Sequence, residues 1–217
     1  MIKAVLFDLD GTLVNSLEDL ANSTNFALSK FGFPTHEIEL YKYFVGDGMQ
    51  KLIERVLPES ERDNDTKQKV FDCFFNHYRE HYIDKTSAYD GIIELINKLK
   101  LSGIKLAVVS NKAEEMALTV VNKLFPNIFD IVCGKQDGFP AKPDAALTLK
   151  VIKDLGVVPS ECLFVGDSGM DMAAAVNANC KGVGVLWGFR TKQELLSNGA
   201  DYIIENPLQL MEILSNA

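Results

Sequence analysis

Asp8 and Asp10 close an apolar run, VLFDLDGTLVNS over residues 5–16, that breaks at Gly11. Two carboxylates one residue apart repel each other and lose hydration at a buried strand end, so they call for a cation. With Leu9 extended, both acids project to one side of the chain. Gly11 permits a backbone turn that a residue with a Cβ resists. Polar groups also follow other apolar runs: Ser110-Asn111 after IKLAVV, and Gly166-Asp167-Ser168 after CLFV, with Asp171 close behind. Lys142 stands in AKPD, before a helix expected to begin at Pro143. Acids of this kind hold a hard ion such as Mg²⁺, whereas hydroxyl, amide and ammonium donors hold phosphate. A metal would also relieve repulsion among Asp8, Asp10 and Asp167. An Asp-x-Asp pair alone is a weak signal, since about one is expected by chance in a chain of this length. Asp63-Asn64-Asp65 is the internal control: it lies in the polar stretch ERDNDTKQK and reads as a solvated helix entry. Taken singly, Ser110-Asn111 could cap a helix, Lys142 could be solvated and Asp167 could be an N-cap acid; their joint occurrence at strand ends favours a site.

These groups need a scaffold that brings strand ends together. Residues 4–9 read as a buried strand. From Ser16 to about Lys85 the pattern is helical: Leu17, Leu20, Ala21, Thr24, Ala27, Leu28 and Phe31 share one face, Ser16 and Asp19 resemble a capping box, and Gly32 ends the helix. Further helices are expected around residues 37–44, 49–56 and 65–81. After Tyr89, strand-like runs at 104–109, 128–133, 162–165, 182–186 and 202–204 alternate with amphipathic segments at 91–101, 113–124, 143–155, 170–177 and 192–197. Alternation of this kind predicts an α/β fold, a doubly wound, Rossmann-like parallel sheet with helices on both faces. Residues 1–16 and 86–217 form that core, and 17–85 an inserted all-helical cap. Ligands of open parallel sheets bind beyond the carboxyl ends of the strands, where strand order switches. Asp8, Ser110 and Asp167 are expected to emerge there.

Composition excludes several classes. A net charge of −8 over 217 residues argues against a nucleic-acid surface. No apolar run approaches the ~20 residues of a membrane span, and the N-terminus lacks the pattern of a signal peptide. Cys73, Cys133, Cys162 and Cys180 are scattered without a paired motif, which fits reduced thiols and a cytoplasmic location.

The segments DLDGTL, VVSNK, AKPD and GDSGMD resemble, in order, the four motifs of the haloacid dehalogenase (HAD) superfamily, specifically its phosphatases with a helical C1-type cap after the first strand. The resemblance implies a Mg²⁺-dependent phosphomonoester hydrolase acting on a small molecule, as monomer or homodimer. Asp8 is then the nucleophile that becomes an aspartyl phosphate. Asp10 protonates the leaving alkoxide, takes a proton from the attacking water and ligates the metal through its backbone carbonyl. Thr12, Ser110 and Asn111 bind the phosphoryl group, Lys142 offsets its charge and that of the nucleophile, Asp167 completes the Mg²⁺ site and Asp171 stands behind it. Dehalogenases of the superfamily lack the second acid, and Asp10 is present here. A hexose-phosphate mutase and an inactive binding scaffold are the competing readings; a phosphatase assay separates the phosphatase from the scaffold.

Substrate choice must come from the cap. Gly46 and Gly48 bracket Asp47 ahead of MQKLIERVL, a loop able to aim backbone N–H groups at a small anion from a helix N-terminus, or equally a plain interhelix turn. FVGDGMQKLIERVLP, like VLWGFRTKQEL followed by GADYII, resembles the corresponding segments of phosphoglycolate phosphatases. This implies 2-phosphoglycolate as substrate, with a sugar phosphate or pyrophosphate as alternatives. The linkers around residues 14–17 and 83–88 are expected to act as hinges. His77 and His81 match H-x-x-E-H, a zinc-peptidase pattern, yet the aromatic surroundings VFDCFFNHYREHYID read as a packed helix face.

Overall fold

A computed structural model of the chain describes residues 1–46 and 48–216, with the side chain of residue 216 left aside. Asp47, the centre of the glycine loop, lies outside the described residues. In chain order the elements begin with β1 (Ala4–Phe7) and β2 (Val14–Asn15), followed by α1 (Leu17–Lys30), α2 (Tyr41–Phe44), α3 (Met49–Val56) and α4 (Asn64–His81). Then come β3 (Ser87–Ala88), α5 (Ile92–Leu101), β4 (Lys105–Ala113), α6 (Glu114–Leu124), β5 (Ile131–Lys135) and α7 (Ala146–Asp154). The chain ends with β6 (Cys162–Gly166), α8 (Gly169–Asn177), β7 (Lys181–Val185), α9 (Lys192–Ser197), β8 (Tyr202–Ile204) and α10 (Gln209–Asn216). Contacts divide the chain into two units, residues 1–15 with 88–217, and residues 16–87.

In the first unit six strands lie in the order β5-β4-β1-β6-β7-β8, every pairing parallel. Strand order therefore switches at β1. Phe7 stands opposite Val108 on one side and Val165 on the other, so the chain leaves β1, β4 and β6 at one edge. All four residues of β1 are fully buried, because helices cover both faces of such a sheet. Ala4 and Leu6 join Ala107, Val109, Phe164 and Val151 on one face. Phe7 meets Phe129 edge-on at 6.3 Å between ring centroids. The C-terminal helix α10 was not anticipated from the sequence, and the helix expected from Pro143 starts at Ala146. The chain before that start is shaped by an Asp144 side chain that accepts the Ala146 N–H at 2.7 Å.

The second unit is helical, with α1 packed along α4. Its entry differs from the expected capping box. Ser16 makes no side-chain cap, and its buried hydroxyl finds no hydrogen-bond partner among the described residues. The buried Asp19 carboxylate instead accepts the N–H of Lys85 at 2.9 Å, the N–H of Thr86 at 2.8 Å and the Thr86 hydroxyl at 2.7 Å. Local spacing pointed to Ser16, but the end of the same unit, more than sixty residues along the chain, offers three donors to one buried charge. Asp19→Ala leaves those donors unpaired and should cost about 3 kcal/mol, a melting temperature lower by roughly 10 °C. An unchanged melting curve would remove this tether from the account.

His77 accepts or donates at Ser23 Oγ through Nδ1 at 3.0 Å and stacks on Phe26 and on His81. His81 Nδ1 pairs with Asp84 at 2.7 Å. The two histidines are thus occupied as helix-face packing groups. Among the described residues no helix is long and apolar enough to cross a membrane.

Candidate functional site

The carboxyl ends of β1, β4 and β6 carry the groups singled out in the sequence. Asp8 follows β1 directly, and its N–H donates to Val165 O at 2.9 Å. The chain then turns tightly: the N–H groups of Leu13 and Val14 both donate to Leu9 O at 3.0 Å. Gly11 adopts φ +90° at this turn, and a Cβ there would stand 2.3 Å from Asp167 Oδ2. A side chain at position 11 is excluded twice, by conformation and by space.

Lys142 organises the acids. Its buried ammonium donates to Asp8 Oδ1 at 2.7 Å, to Asp171 Oδ1 at 2.6 Å and to Val109 O at 3.0 Å, which uses all three of its N–H groups. Burial alone would lower the Lys142 pKa, but the charges of Asp171 and Asp8 and the hydrogen bonds they accept hold it above the ordinary lysine value. The backbone of Lys142 is held in turn by the Asn111 carboxamide, whose Oδ1 accepts the Lys142 N–H at 2.8 Å and whose Nδ2 donates to Lys142 O at 3.2 Å. Asn111 was expected on the phosphoryl group; its side chain is spent on placing Lys142, because a backbone segment outside regular structure needs its polar groups satisfied.

Asp171 is more central than expected. Besides Lys142, it accepts the Ser168 N–H at 3.0 Å and hydroxyl at 2.6 Å, while Ser168 Oγ accepts the Asp171 N–H, a reciprocal cap that starts α8. Asp8, Asp167 and Asp171 are buried, each with a carboxylate oxygen within 4.8 Å of the others, and no histidine joins them among the described residues. The Asp10 carboxylate is not in this group. It faces Lys112, whose Nζ lies 3.2 Å from both Asp10 oxygens. Sequence reasoning gave Lys112 no role, although VVSNK contains it; a lysine continuing an apolar strand toward the polar edge was the available signal.

Thr12 was expected to bind the phosphoryl group. Its hydroxyl donates to Asp167 Oδ1 at 3.2 Å, its N–H to Leu9 O at 3.3 Å, and its carbonyl accepts the Trp187 indole N–H at 3.0 Å. Its hydroxyl, N–H and carbonyl thus each have a protein partner, and the hydroxyl steadies Asp167. The Ser110 hydroxyl oxygen accepts the Lys112 N–H at 3.2 Å and keeps its own proton to donate. Gly46 and Gly48 belong to the helical unit, both exposed and with positive φ, and Gly48 leads into α3.

Among the described residues four carboxylates and two ammonium groups meet in this place, leaving two negative charges when all are ionised. Burial first, then Asp171, push the Asp8 carboxyl up to about 7 against the lowering effect of Lys142. Burial, then Asp171 and Asp8, likewise hold Asp167 well above the usual carboxylate range. A hard divalent cation fits both the donor set and the missing charge. Without one, the unfolded chain ionises Asp8 near 4 while the folded chain keeps its proton to near neutrality. Stability is then full below about pH 4 and falls as pH rises toward 7. The metal-free protein should melt several degrees lower at pH 8 than at pH 5, and millimolar divalent cation should remove most of the difference. Equal melting at both pH values without metal would contradict this charge balance.

Comparison with known proteins agrees with the geometry. Residues 5–185 match the family described as haloacid dehalogenase-like hydrolase. A phosphoglycolate phosphatase from Chromobacterium violaceum is 34% identical, covering 99% of this chain and 97% of that protein. A phosphoglycolate phosphatase from Aquifex aeolicus is 32% identical, covering 99% and 98%. The solved structure of a protein from Lactobacillus delbrueckii subsp. bulgaricus superposes with a TM-score of 0.92 at 31% identity, covering 98% of each chain.

Proposed function

The chain belongs to the haloacid dehalogenase-like hydrolase family, and from that premise we propose that it is a Mg²⁺-dependent phosphomonoester hydrolase working through an aspartyl phosphate on Asp8. The observation that carries this reading is the triple placement of Lys142 Nζ against Asp8, Asp171 and the β4 carbonyl at the strand-order switch. The nucleophile there is tied to a fixed positive charge where a phosphoryl group would arrive.

Asp8 attacks phosphorus, and the ester P–O bond breaks as Asp10 gives a proton to the leaving oxygen. A water molecule then attacks the phosphoryl group, Asp10 takes its proton, the bond to Asp8 breaks and inorganic phosphate leaves. Splitting hydrolysis into two displacements lets one carboxylate serve as nucleophile, and Asp10 supplies about 10²–10⁴-fold as acid and base. Lys142 offsets charge on nucleophile and phosphoryl, Ser110 donates its hydroxyl, and Asn111 contributes through its backbone, its carboxamide being committed to Lys142. Asp8, Asp167 and the Asp10 carbonyl would hold Mg²⁺, with Asp171 adjoining; the ion would supply charge neutralisation for the transferring group.

Relatives named phosphoglycolate phosphatase support 2-phosphoglycolate as substrate. On this reading the backbone of Gly46 and Gly48 receives the substrate carboxylate. Phosphate release from 2-phosphoglycolate, sugar phosphates, nucleoside monophosphates and pyrophosphate, with Mg²⁺ and with chelator, tests both levels. A clear preference for 2-phosphoglycolate supports the named substrate. Comparable slow rates on many esters discard it and keep the chemistry, and no release from any compound discards the phosphatase.

A further inference from the structure

Asp167 is a buried carboxylate whose two oxygens must each find a donor. The Thr12 hydroxyl serves Oδ1 at 3.2 Å. Oδ2 accepts the backbone N–H of Phe189 at 2.8 Å, from the segment that follows β7. That segment touches the site twice more. The Trp187 indole N–H donates to Thr12 O at 3.0 Å and so holds the residue that serves Oδ1. Between Trp187 and Phe189, a Cβ on Gly188 would stand 2.3 Å from Asp167 Cβ, 2.5 Å from Gly11 O and 2.6 Å from Asp167 Oδ2. Asp167 thus lies between Gly11 and Gly188, with only hydrogen atoms admitted on both sides. The far end of the segment is anchored as well. Thr191 Oγ1 accepts the Glu194 N–H at 3.3 Å, and Glu194 Oε1 accepts the N–H of Gly169, the first residue of α8, at 3.2 Å.

We infer that residues 187–189 form a strap that orients Asp167 toward a divalent cation, with Trp187, Gly188 and Phe189 as positioning residues. The inference rests on the cation reading given above. Among the described residues each Asp167 oxygen receives a single hydrogen bond, and each retains acceptor capacity for the ion. Groups that orient a ligand in this way typically set metal affinity by about 10–100-fold. Through the indole N–H, the strap also couples Thr12, in the loop that carries Asp8 and Asp10, to the loop that carries Asp167.

Trp187 is the only tryptophan of the chain, so its emission reports the strap directly. MgCl₂ is titrated into the full-length protein by calorimetry for wild type, Trp187→Phe, Gly188→Ala and Asp167→Asn, and by tryptophan fluorescence for the three of these that retain Trp187. The melting temperature of each metal-free variant checks folding. Trp187→Phe keeps the aromatic bulk and removes only the donor, so it remains informative if the crowded Gly188→Ala does not fold. Expected are a Mg²⁺ Kd raised about tenfold or more in Trp187→Phe, and a wild-type emission change that vanishes in Asp167→Asn. An unaltered Kd in folded Trp187→Phe, or an emission change that persists in Asp167→Asn, overturns the strap. Wild-type protein that takes up no Mg²⁺ overturns the cation reading itself, an outcome distinct from intact binding with unaffected variants.

Discussion

Asp8→Asn is expected to lower turnover by about 10⁴-fold or more while melting no lower than wild type in metal-free buffer at pH 8. The two halves have one cause. Asn is nearly the same shape and can still accept from Lys142, but a neutral carboxamide does not displace an alkoxide from phosphorus. The charge it removes is one the fold tolerates poorly: burial and Asp171 outweigh Lys142 and push the Asp8 carboxyl up to about 7. Above that pH the ionised form opposes folding, and its removal should stabilise the metal-free protein by an amount on the order of a few kcal/mol. Sites that hold strained charge commonly show this exchange of stability for activity. Phosphate release and thermal melting check it together. Activity within tenfold of wild type would end the role of Asp8 as nucleophile, and a melting temperature several degrees lower would reverse the sign of the electrostatic argument.

Lys142→Met should be destabilising as well as inactivating. The substitution keeps an unbranched side chain of similar volume beside Phe164 and deletes the one charge that touches both Asp8 and Asp171. Breaking a buried ion pair from one side costs about 3–5 kcal/mol, so melting at pH 8 without metal should fall by roughly 10 °C. Loss of a preorganised positive group from the transferring phosphoryl should reduce kcat about 10²–10³-fold. The stability loss should shrink toward pH 5, where the acids take up protons, and shrink on adding Mg²⁺, which replaces the missing charge. A deficit of the same size at pH 5 and pH 8 would assign it to packing, and full activity would remove Lys142 from catalysis.

The contrast between these two neighbours follows from counting. Asp8 is one of four acids facing two cations, so deleting an acid relieves an excess. Lys142 is one of the two cations, so deleting it enlarges that excess. Lys112 is the other, held against Asp10 at 3.2 Å. The same counting explains why a divalent cation suits the site and why stability of the metal-free chain depends on pH.

What could be read along the chain and what could not divide by distance in sequence. The alternation of apolar runs with amphipathic segments determined a parallel doubly wound sheet interrupted by helices, because burial on both faces demands continuous apolar strands and leaves polar groups only at their ends. That constraint alone marked Asp8, Ser110 and Asp167 as neighbours. It erred or fell silent wherever a side chain's partner lies far along the chain. Asp19 looked like half of a capping box with Ser16, yet its partners are Lys85 and Thr86. Asn111 was placed at the phosphoryl group, but nothing local announced that its carboxamide holds Lys142. Thr12 donates to Asp167 and accepts from Trp187, and Lys112 reaches Asp10 across the sheet edge. The sequence by itself determined which chemical groups stand at the site, since periodicity and strand ends are local properties of the backbone and of burial. Tertiary structure decided which of them face an incoming ligand and which are spent holding one another, since a buried donor or acceptor takes whatever partner folding brings within about 3 Å.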